Sequence, residues 1–336
     1  MEIAADNIDK LINIEMRRTG LPRGKKWVLW EVARELSPEP LVLAAARLLD
    51  RAPGDIAIVT GAAVPGHMPV GENDGPFGSV VLATALVRIG HQVTIYTDPD
   101  ALPPIDMLAR RAGLAIDVLP LTLGDTDQQV KIAEKHDLFV AIERLGGNRN
   151  GQIYGVTGVS RSPHRANVDT IFKTATKLGK PTLAIGDGGN EIGFGKVHAE
   201  LEKRLPDHTM AATTPCGGGV FSVVPTDVLA VGTSSNIGAY GVVAALALLK
   251  RDASLCHTPD GGAAPCRRRP RPGRRRRRRP HPVMRRHPGR RQRRFGAPHA
   301  EHRRTHPGAA PRPQVLKAQG EKLAVNHRSA DLQVRS

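Results

Sequence analysis

The chain has 336 residues, a formal net charge of +17 and three cysteines. The charge alone would favour nucleic-acid binding, but it is not spread evenly. Residues 261–336 contain 23 Lys and Arg and 3 Asp and Glu, whereas residues 1–260 contain 26 Lys and Arg and 29 Asp and Glu and are mildly acidic. No apolar run approaches the ~18 residues of a membrane span, and no apolar signal core follows Met1. Three cysteines without a Cys-x-x-Cys pair fit a reducing compartment. We therefore expect a cytoplasmic protein without membrane contact.

The first 50 residues have a helical pattern. Apolar residues between 41 and 49 recur at helical spacing. Ser37-Pro38 precedes them and is typical of a helix start, because Ser can accept from free backbone N–H groups and Pro suits the first turn. We therefore interpret residues 1–50 as a helical segment that packs on a body formed by residues 51–255.

Short apolar runs alternate with helical segments along this body. The runs that predict strands are 55–60, 91–97, 115–121, 138–142, 181–185 and 227–231. Helical spacing is found at 105–112, at 125–136, from Ser162-Pro163 to residue 178, and at 236–250. Strands that are apolar throughout and separated by helices are typical of a parallel sheet covered on both faces. The sequence therefore predicts an α/β fold, a three-layer doubly wound and mainly parallel sheet.

Polar, glycine-rich segments follow four of the predicted strands. They span residues 61–78, 143–154, 186–195 and 232–238. Glycines can simply make tight turns between strands and helices. In open parallel sheets, however, ligands bind at the carboxyl ends of the strands. Four such loops at one edge therefore predict a ligand site.

The loop after the first strand lacks nucleotide-binding motifs. Gly61 and Gly66 have the spacing of a phosphate-binding loop, but His67 and Met68 stand where that motif needs Lys and Ser or Thr. No Gly-x-Gly-x-x-Gly follows the strand either. We therefore expect no nucleotide cofactor, and we expect Asp98, after the second strand, to be an exposed turn or capping residue.

Two of the four loops carry paired acids. Glu72 and Asp74 share one loop, and Asp187 and Glu191 share another. Each loop also has a structural explanation, since Asp before Gly suits a turn and an acid suits a helix start. Crowded carboxylates need a cation, a shared proton or an ammonium substrate, because like charges resist joint ionisation. We predict that Asp74 and Asp187 face one cleft, within ~15 Å of each other, in a setting for acid–base catalysis.

The same loops resemble those of the D-glutamate cyclase family. The matching stretches are PVGENDGPFG at 69–78, the Glu-Arg pair and glycine-rich loop at 143–154, GDGGNEIGFG at 186–195, and SSNIG at 234–238. They follow the family's order over roughly residues 50–250. The resemblance implies a small-molecule enzyme, a hydro-lyase that interconverts D-glutamate and 5-oxo-D-proline plus water, with Mn²⁺ or Mg²⁺ as a cofactor.

Combined with the resemblance, the loops suggest roles for individual residues. The expected catalytic residues are Glu72, Asp74, Asp187 and Glu191, and Asp74 and Asp187 are also the expected metal ligands. The expected substrate-binding residues are Gly71, Gly75, Arg144, Gly188, Gly189, Asn190, Ser234, Ser235 and Asn236. Backbone N–H groups of Gly188 and Gly189, near a helix start, are expected to hold a carboxylate or an oxyanion. Arg144 is expected to pair either with a substrate carboxylate or with Glu143 or another acid of the body.

Two alternative functions stay open. One is a related α/β hydro-lyase or lactam hydrolase acting on another small amino or carboxylic acid. The other is nucleic-acid binding through the basic block, which would be phosphate-driven and non-specific because Phe295 is its only aromatic residue.

The family-like pattern stops after residue 260. The following block, 261–336, contains ten prolines and the unbroken arginine run 274–279, without apolar periodicity. Such a segment cannot bury enough surface to fold, so we expect it to be disordered. Basic tails usually carry much lysine, whereas this block has only Lys317 and Lys322. We therefore predict an out-of-frame or otherwise aberrant terminus.

Overall fold

The computed structural model describes residues 1–15, 25–61, 63–64, 68–205 and 214–258. His67 and the predicted disordered block at 261–336 lie outside the described residues. The strands are β1 Asp55–Val59, β2 Gln92–Thr97, β3 Asp117–Pro120, β4 Leu138–Ile142, β5 Thr182–Gly186 and β6 Val228–Val231. The α-helices are α1 Glu2–Ile12, α2 Lys25–Glu35, α3 Leu41–Leu49, α4 Pro76–Arg88, α5 Leu102–Arg111, α6 Thr126–Lys135, α7 Asp169–Lys177, α8 His198–Arg204 and α9 Ser235–Lys250.

The six strands form one sheet in the order β3-β2-β1-β4-β5-β6, and every neighbouring pair is parallel. The predicted α/β sheet is therefore confirmed. The strand order reverses between β1 and β4, since Ile56 pairs with Val93 on one side and with Leu138 on the other. In such sheets the crevice for a ligand opens at the carboxyl ends beside this reversal.

Helices cover both faces of the sheet, which gives the three predicted layers. Alternate residues of a strand point to opposite faces, and in β1 Ile56 and Ile58 join one apolar core while Ala57 and Val59 join the other. The first core includes apolar residues of α1, α3, α4, α5 and α9. The second includes residues of α2, α6, α7 and α8. Among the described residues, none of the helices combines the length and apolarity needed to cross a bilayer.

Two predicted helix starts are wrong. Helix α3 begins at Leu41 rather than at Ser37, and the Ser37 hydroxyl donates to the Glu39 carbonyl at 2.7 Å. Pro40 explains this delay, because the residue before a proline is driven out of the helical region.

Helix α7 begins at Asp169, not at Ser162. The backbone of Ala166 is already committed, since its N–H donates to the Asp98 carboxylate at 3.0 Å and its carbonyl accepts from Arg144 at 2.6 Å. These tertiary bonds replace the intrahelical ones that a helix would need.

Candidate active site

Three carboxylates meet at the carboxyl edge of the sheet. Asp74 lies in the loop after β1, Glu143 directly follows β4, and Asp187 directly follows β5. Each offers an oxygen within 4.8 Å of the others. The structure therefore brings Asp74 and Asp187 into one site, as the loops predicted, and adds Glu143 to them. We call these three side chains the carboxylate cluster.

Glu143 was not among the predicted catalytic residues, although it directly follows a buried strand. Its backbone is left-handed, with φ of 51°, a conformation that residues other than glycine rarely adopt. The Ser235 hydroxyl, at the start of α9, donates to Glu143 Oε2. Such a strained backbone conformation persists only where surrounding contacts enforce it. Residues of this kind cluster at functional sites.

Gly75 makes room for Glu143. Its φ is +91°, and a Cβ at this position would lie 2.7 Å from the Cβ of Glu143 and 2.7 Å from the Thr60 hydroxyl. A side chain at residue 75 would therefore push directly on the cluster. Gly75 has a structural reason to be glycine, independent of any contact with a substrate.

The surroundings raise the pKa values of several acids. Burial raises the pKa of Glu143 well above its usual value, and the nearby Asp187 and Glu191 charges add to this. The pKa of Glu191 is raised to about 7, mainly by burial and to a lesser degree by the negative charge of Asp187. The pKa values of Glu72 and Asp74 are raised mainly by burial as well. Several acids of the site therefore hold a proton more readily than free carboxyl groups do, which suits acid–base chemistry.

Backbone groups hold Asp74 in place. Its Oδ1 accepts from the N–H of Asn236 at 2.8 Å and from that of Gly75 at 3.1 Å, and both bonds oppose the rise in its pKa. Asn236 lies in the first turn of α9, so Asp74 joins the first loop to a helix N-terminus.

Two cations that the sequence reasoning missed lie beside these acids. Lys26, in the first turn of α2, donates from Nζ to Asp187 Oδ2 and to the Thr233 carbonyl, the latter at 2.7 Å. The guanidinium of Arg165 lies 3.8 Å from Glu72 Oε1, and burial lowers its pKa to about 10. Neither residue belongs to a motif or to an acid-bearing loop, so no local signal marked them.

Arg144 takes the second of its two expected roles, since it pairs with an acid of the body. It is 1% exposed, and its guanidinium donates to both oxygens of Asp98, at 2.6 and 2.9 Å. It also donates to the carbonyls of Gly61 and Ala166. Arg144 therefore ties three loops together, and its partner is Asp98, not Glu143. Asp98 is buried as well, which corrects its expected exposure.

The loop after β5 also differs from expectation. Glu191 Oε1 accepts from the N–H groups of Asp187 and Gly188, at 3.0 and 2.8 Å, so a protein carboxylate already occupies the Gly188 N–H that was expected to bind a substrate. No helix starts there, since α8 begins at His198. A Cβ on Gly189 would lie 2.6 Å from the Phe221 ring, which gives that glycine a packing role.

Other predicted binding residues are committed to the protein. The Asn190 side chain donates to the Tyr154 carbonyl at 2.8 Å. The Asn236 side chain accepts from Gly78 N and donates to the Asn73 carbonyl. Ser235 is fully buried.

Three predicted residues, Gly71, Glu72 and Ser234, are partly exposed. Ser234 caps α9 through its hydroxyl oxygen and is partly exposed. Gly71, with φ of +89°, turns the first loop. Glu72 follows it and has a side chain that is 27% exposed. Their roles in binding and catalysis remain predictions.

The cluster fits a hard divalent cation. Carboxylate oxygens are the ligands that Mg²⁺ and Mn²⁺ prefer, and three of them converge here. Glu191 stands next to the cluster, and its Oε2 is buried without a hydrogen-bond partner among the described residues. Three converging oxygens and this nearby buried acceptor are consistent with a cation at the site.

A family model and a curated protein both match this chain. A family model described as D-glutamate cyclase-like, C-terminal, matches residues 31–264. The human protein named D-glutamate cyclase, mitochondrial, is 27% identical over 201 residues, which are 54% of this chain and 31% of that protein. The chain thus spans about a third of the length of that relative.

Solved structures are only remotely similar. AtPrR2 in its apo form has a TM-score of 0.26 and 12% identity, over 46% of this chain and 45% of that one. Saccharopine dehydrogenase (L-Glu forming) from Saccharomyces cerevisiae has a TM-score of 0.24 and 13% identity, over 47% and 32%. Similarity at this level carries no argument about function.

Proposed function

The chain belongs to the D-glutamate cyclase-like family, and we propose that it interconverts D-glutamate and 5-oxo-D-proline with loss or gain of water. The observation that carries this proposal is the carboxylate cluster, in which Asp74, Glu143 and Asp187 approach within 4.8 Å of one another. Three acids this close favour an ammonium ligand and give it groups that can accept and donate protons.

The reaction sets clear demands on such a site. In the cyclising direction, the α-nitrogen of the substrate forms a bond to its γ-carbon, and one γ-carboxyl oxygen leaves. The α-ammonium loses two protons, and the departing oxygen gains two and becomes water. The site must therefore hold an ammonium, remove its protons and deliver protons to an oxygen a few ångströms away.

Separate acids of the cluster suit these two tasks. Glu143, whose pKa is raised mainly by burial, is the proposed proton donor to the leaving oxygen. Asp187 is the proposed proton acceptor, because one oxygen of Asp74 already accepts from two backbone N–H groups. Asp74 then contributes its negative charge to the binding of the ammonium.

Asp74 and Asp187 would also hold Mn²⁺ or Mg²⁺, and Glu143, which offers an oxygen within 4.8 Å of theirs, would keep its proton for the leaving oxygen. When bound, a divalent cation would polarise the γ-carboxyl group and favour attack on its carbon.

Arg165 replaces Arg144 as the proposed ligand of the substrate α-carboxylate. Its guanidinium is 3.8 Å from Glu72, and its only hydrogen bond within the described residues runs from Nε to the Ala63 carbonyl. The remaining donors suit a carboxylate, which guanidinium groups bind through paired hydrogen bonds. The cleft would then have an acidic end for the amine and a basic end for the carboxylate.

Substrate conversion tests the reaction. The full chain is incubated with D-glutamate, L-glutamate and both 5-oxoproline enantiomers, with and without Mn²⁺, and products are separated by chiral chromatography. We expect conversion of the D-enantiomers only. Conversion of another acid in their place would support a related hydro-lyase or lactam hydrolase, and no conversion of any substrate would contradict the proposal.

Arg165→Gln tests the basic end of the cleft. We expect KM for D-glutamate to rise at least ~10-fold, the loss typical of a charged hydrogen bond, with a smaller change in kcat. Arg149→Gln is the matched control, because Arg149 is exposed and pairs with Glu202. An unchanged KM in the Arg165 variant would remove this residue from the binding site.

A further inference from the structure

Lys26 reaches the carboxylate cluster from outside the family-matched residues. The match begins at residue 31, and α2 begins at Lys25. The Lys26 ammonium nevertheless bonds Asp187 Oδ2 and the Thr233 carbonyl. The side chains of Lys26 and Asp187 are only 13% and 12% exposed, so solvent screens this ion pair weakly.

Lys26 is the cation that directly contacts the cluster within the described part of the chain. Arg165 pairs with Glu72, and Arg144 is committed to Asp98. The Lys26 charge also acts beyond its direct partner, since it counts among the influences that lower the pKa of Asp74, whose pKa burial raises. The ammonium therefore supplies positive charge to a site that collects several negative ones.

A divalent cation in this cluster would compete with that ammonium. Both would use the oxygens of Asp187, and a doubly charged metal ion and an ammonium repel each other strongly at a separation of a few ångströms. A lysine is suited to such exchange, because its flexible stem lets the ammonium move away without unfolding the helix that carries it.

We propose that Lys26 is a tethered cation that occupies the carboxylate cluster in the metal-free protein and leaves Asp187 when a divalent cation binds. Lysine and metal are then alternative partners of the same carboxylate. The proposal rests on the cation site included in the proposed function, but it does not depend on which substrate the site converts.

Calorimetric titration with Mn²⁺ alone tests this exchange on the full chain. Lys26→Met removes the charge and keeps the approximate length of the side chain. We expect it to bind Mn²⁺ at least ~10-fold more tightly than the unmodified chain, because the repulsion is gone and Asp187 is free. Lys26→Arg keeps the charge and should stay close to the unmodified chain. Lys203→Met is the matched control, since Lys203 is exposed and pairs with Glu200.

A reciprocal measurement needs no variant of Lys26. If Mn²⁺ displaces the ammonium, linkage requires that Mn²⁺ also make the ammonium more available. We expect the rate of Lys26 acetylation by an amine-reactive reagent, followed by mass spectrometry, to rise at least ~3-fold at saturating Mn²⁺, relative to Lys203 in the same sample. This arm decides the question even if Lys26→Met does not fold.

The outcomes separate this proposal from the proposed reaction. Equal or weaker Mn²⁺ binding by Lys26→Met, unchanged acetylation, or no Mn²⁺ binding at all overturns the exchange, whatever the chain does with D-glutamate. Tighter binding and faster acetylation without conversion of D-glutamate would support the exchange and leave the proposed reaction contradicted.

Discussion

Replacing Asp98 by Asn should strongly destabilise the protein. The Asp98 carboxylate accepts three hydrogen bonds, at 2.6 and 2.9 Å from Arg144 and at 3.0 Å from the Ala166 N–H. Side-chain exposure is 4% for Asp98 and 1% for Arg144, so water cannot replace the lost charge. In the variant, the buried guanidinium of Arg144 would face a neutral Asn side chain. The NH₂ group of that side chain is a hydrogen-bond donor and cannot accept from the guanidinium.

The expected cost is about 3–5 kcal/mol, the usual result of removing one partner of a buried ion pair. With a urea m-value of about 3 kcal/mol per molar, the unfolding midpoint should fall by about 1–1.7 M. Urea titration followed by circular dichroism measures this shift.

Asp106→Asn is the matched control, because Asp106 forms an exposed ion pair with Arg110 four residues away. Such pairs contribute at most about 1 kcal/mol, so this midpoint should hardly move. If Asp98→Asn also lies within about 0.5 kcal/mol of the unmodified chain, as ordinary surface substitutions do, the loop-tying role of Arg144 is refuted, and its expected role in substrate binding returns.

Three further predictions concern the cluster. Asp187→Asn should lower turnover at least ~100-fold, the usual loss of a proton-transfer group, and unchanged turnover would remove Asp187 from catalysis. In the folded protein the pKa of Glu191 is raised to about 7, mainly by burial, so the folded state binds this proton more tightly than the unfolded state does. The contribution of Glu191 to the free energy of unfolding is therefore lost as pH rises from about 4.5 to 7. Glu191→Gln should flatten that part of the stability–pH curve by about 1–3 kcal/mol, and an unaltered curve would contradict the shift. Gly75→Ala should cost more stability and turnover than Gly113→Ala, because both have positive φ but a Cβ only at residue 75 meets other atoms within 4 Å; equal losses would show that strain alone, and not crowding of Glu143, is responsible.

The sequence by itself predicted the sheet and the edge that carries the site. Apolar runs, helical spacing and glycine-rich loops are local patterns, and in a parallel sheet they place every strand's carboxyl end at the same edge. That geometry was enough to predict that Asp74 and Asp187 would meet, since each lies in a loop that follows a strand.

Only the tertiary structure decided which side chains pair across that edge. Asp98 and Arg144 are 46 residues apart, and Lys26 and Asp187 are 161 apart, so no local pattern links them. Glu191 is a local case, since its carboxylate accepts from the backbone N–H groups of Asp187 and Gly188, four and three residues away, and the Gly188 N–H was one of those expected to serve a substrate. A buried charge accepts whichever partner the folded chain brings within reach, because leaving it unpaired costs more than any local preference. Residue type and spacing therefore indicated where acids would gather, and packing determined which of these acids pair with other groups of the protein.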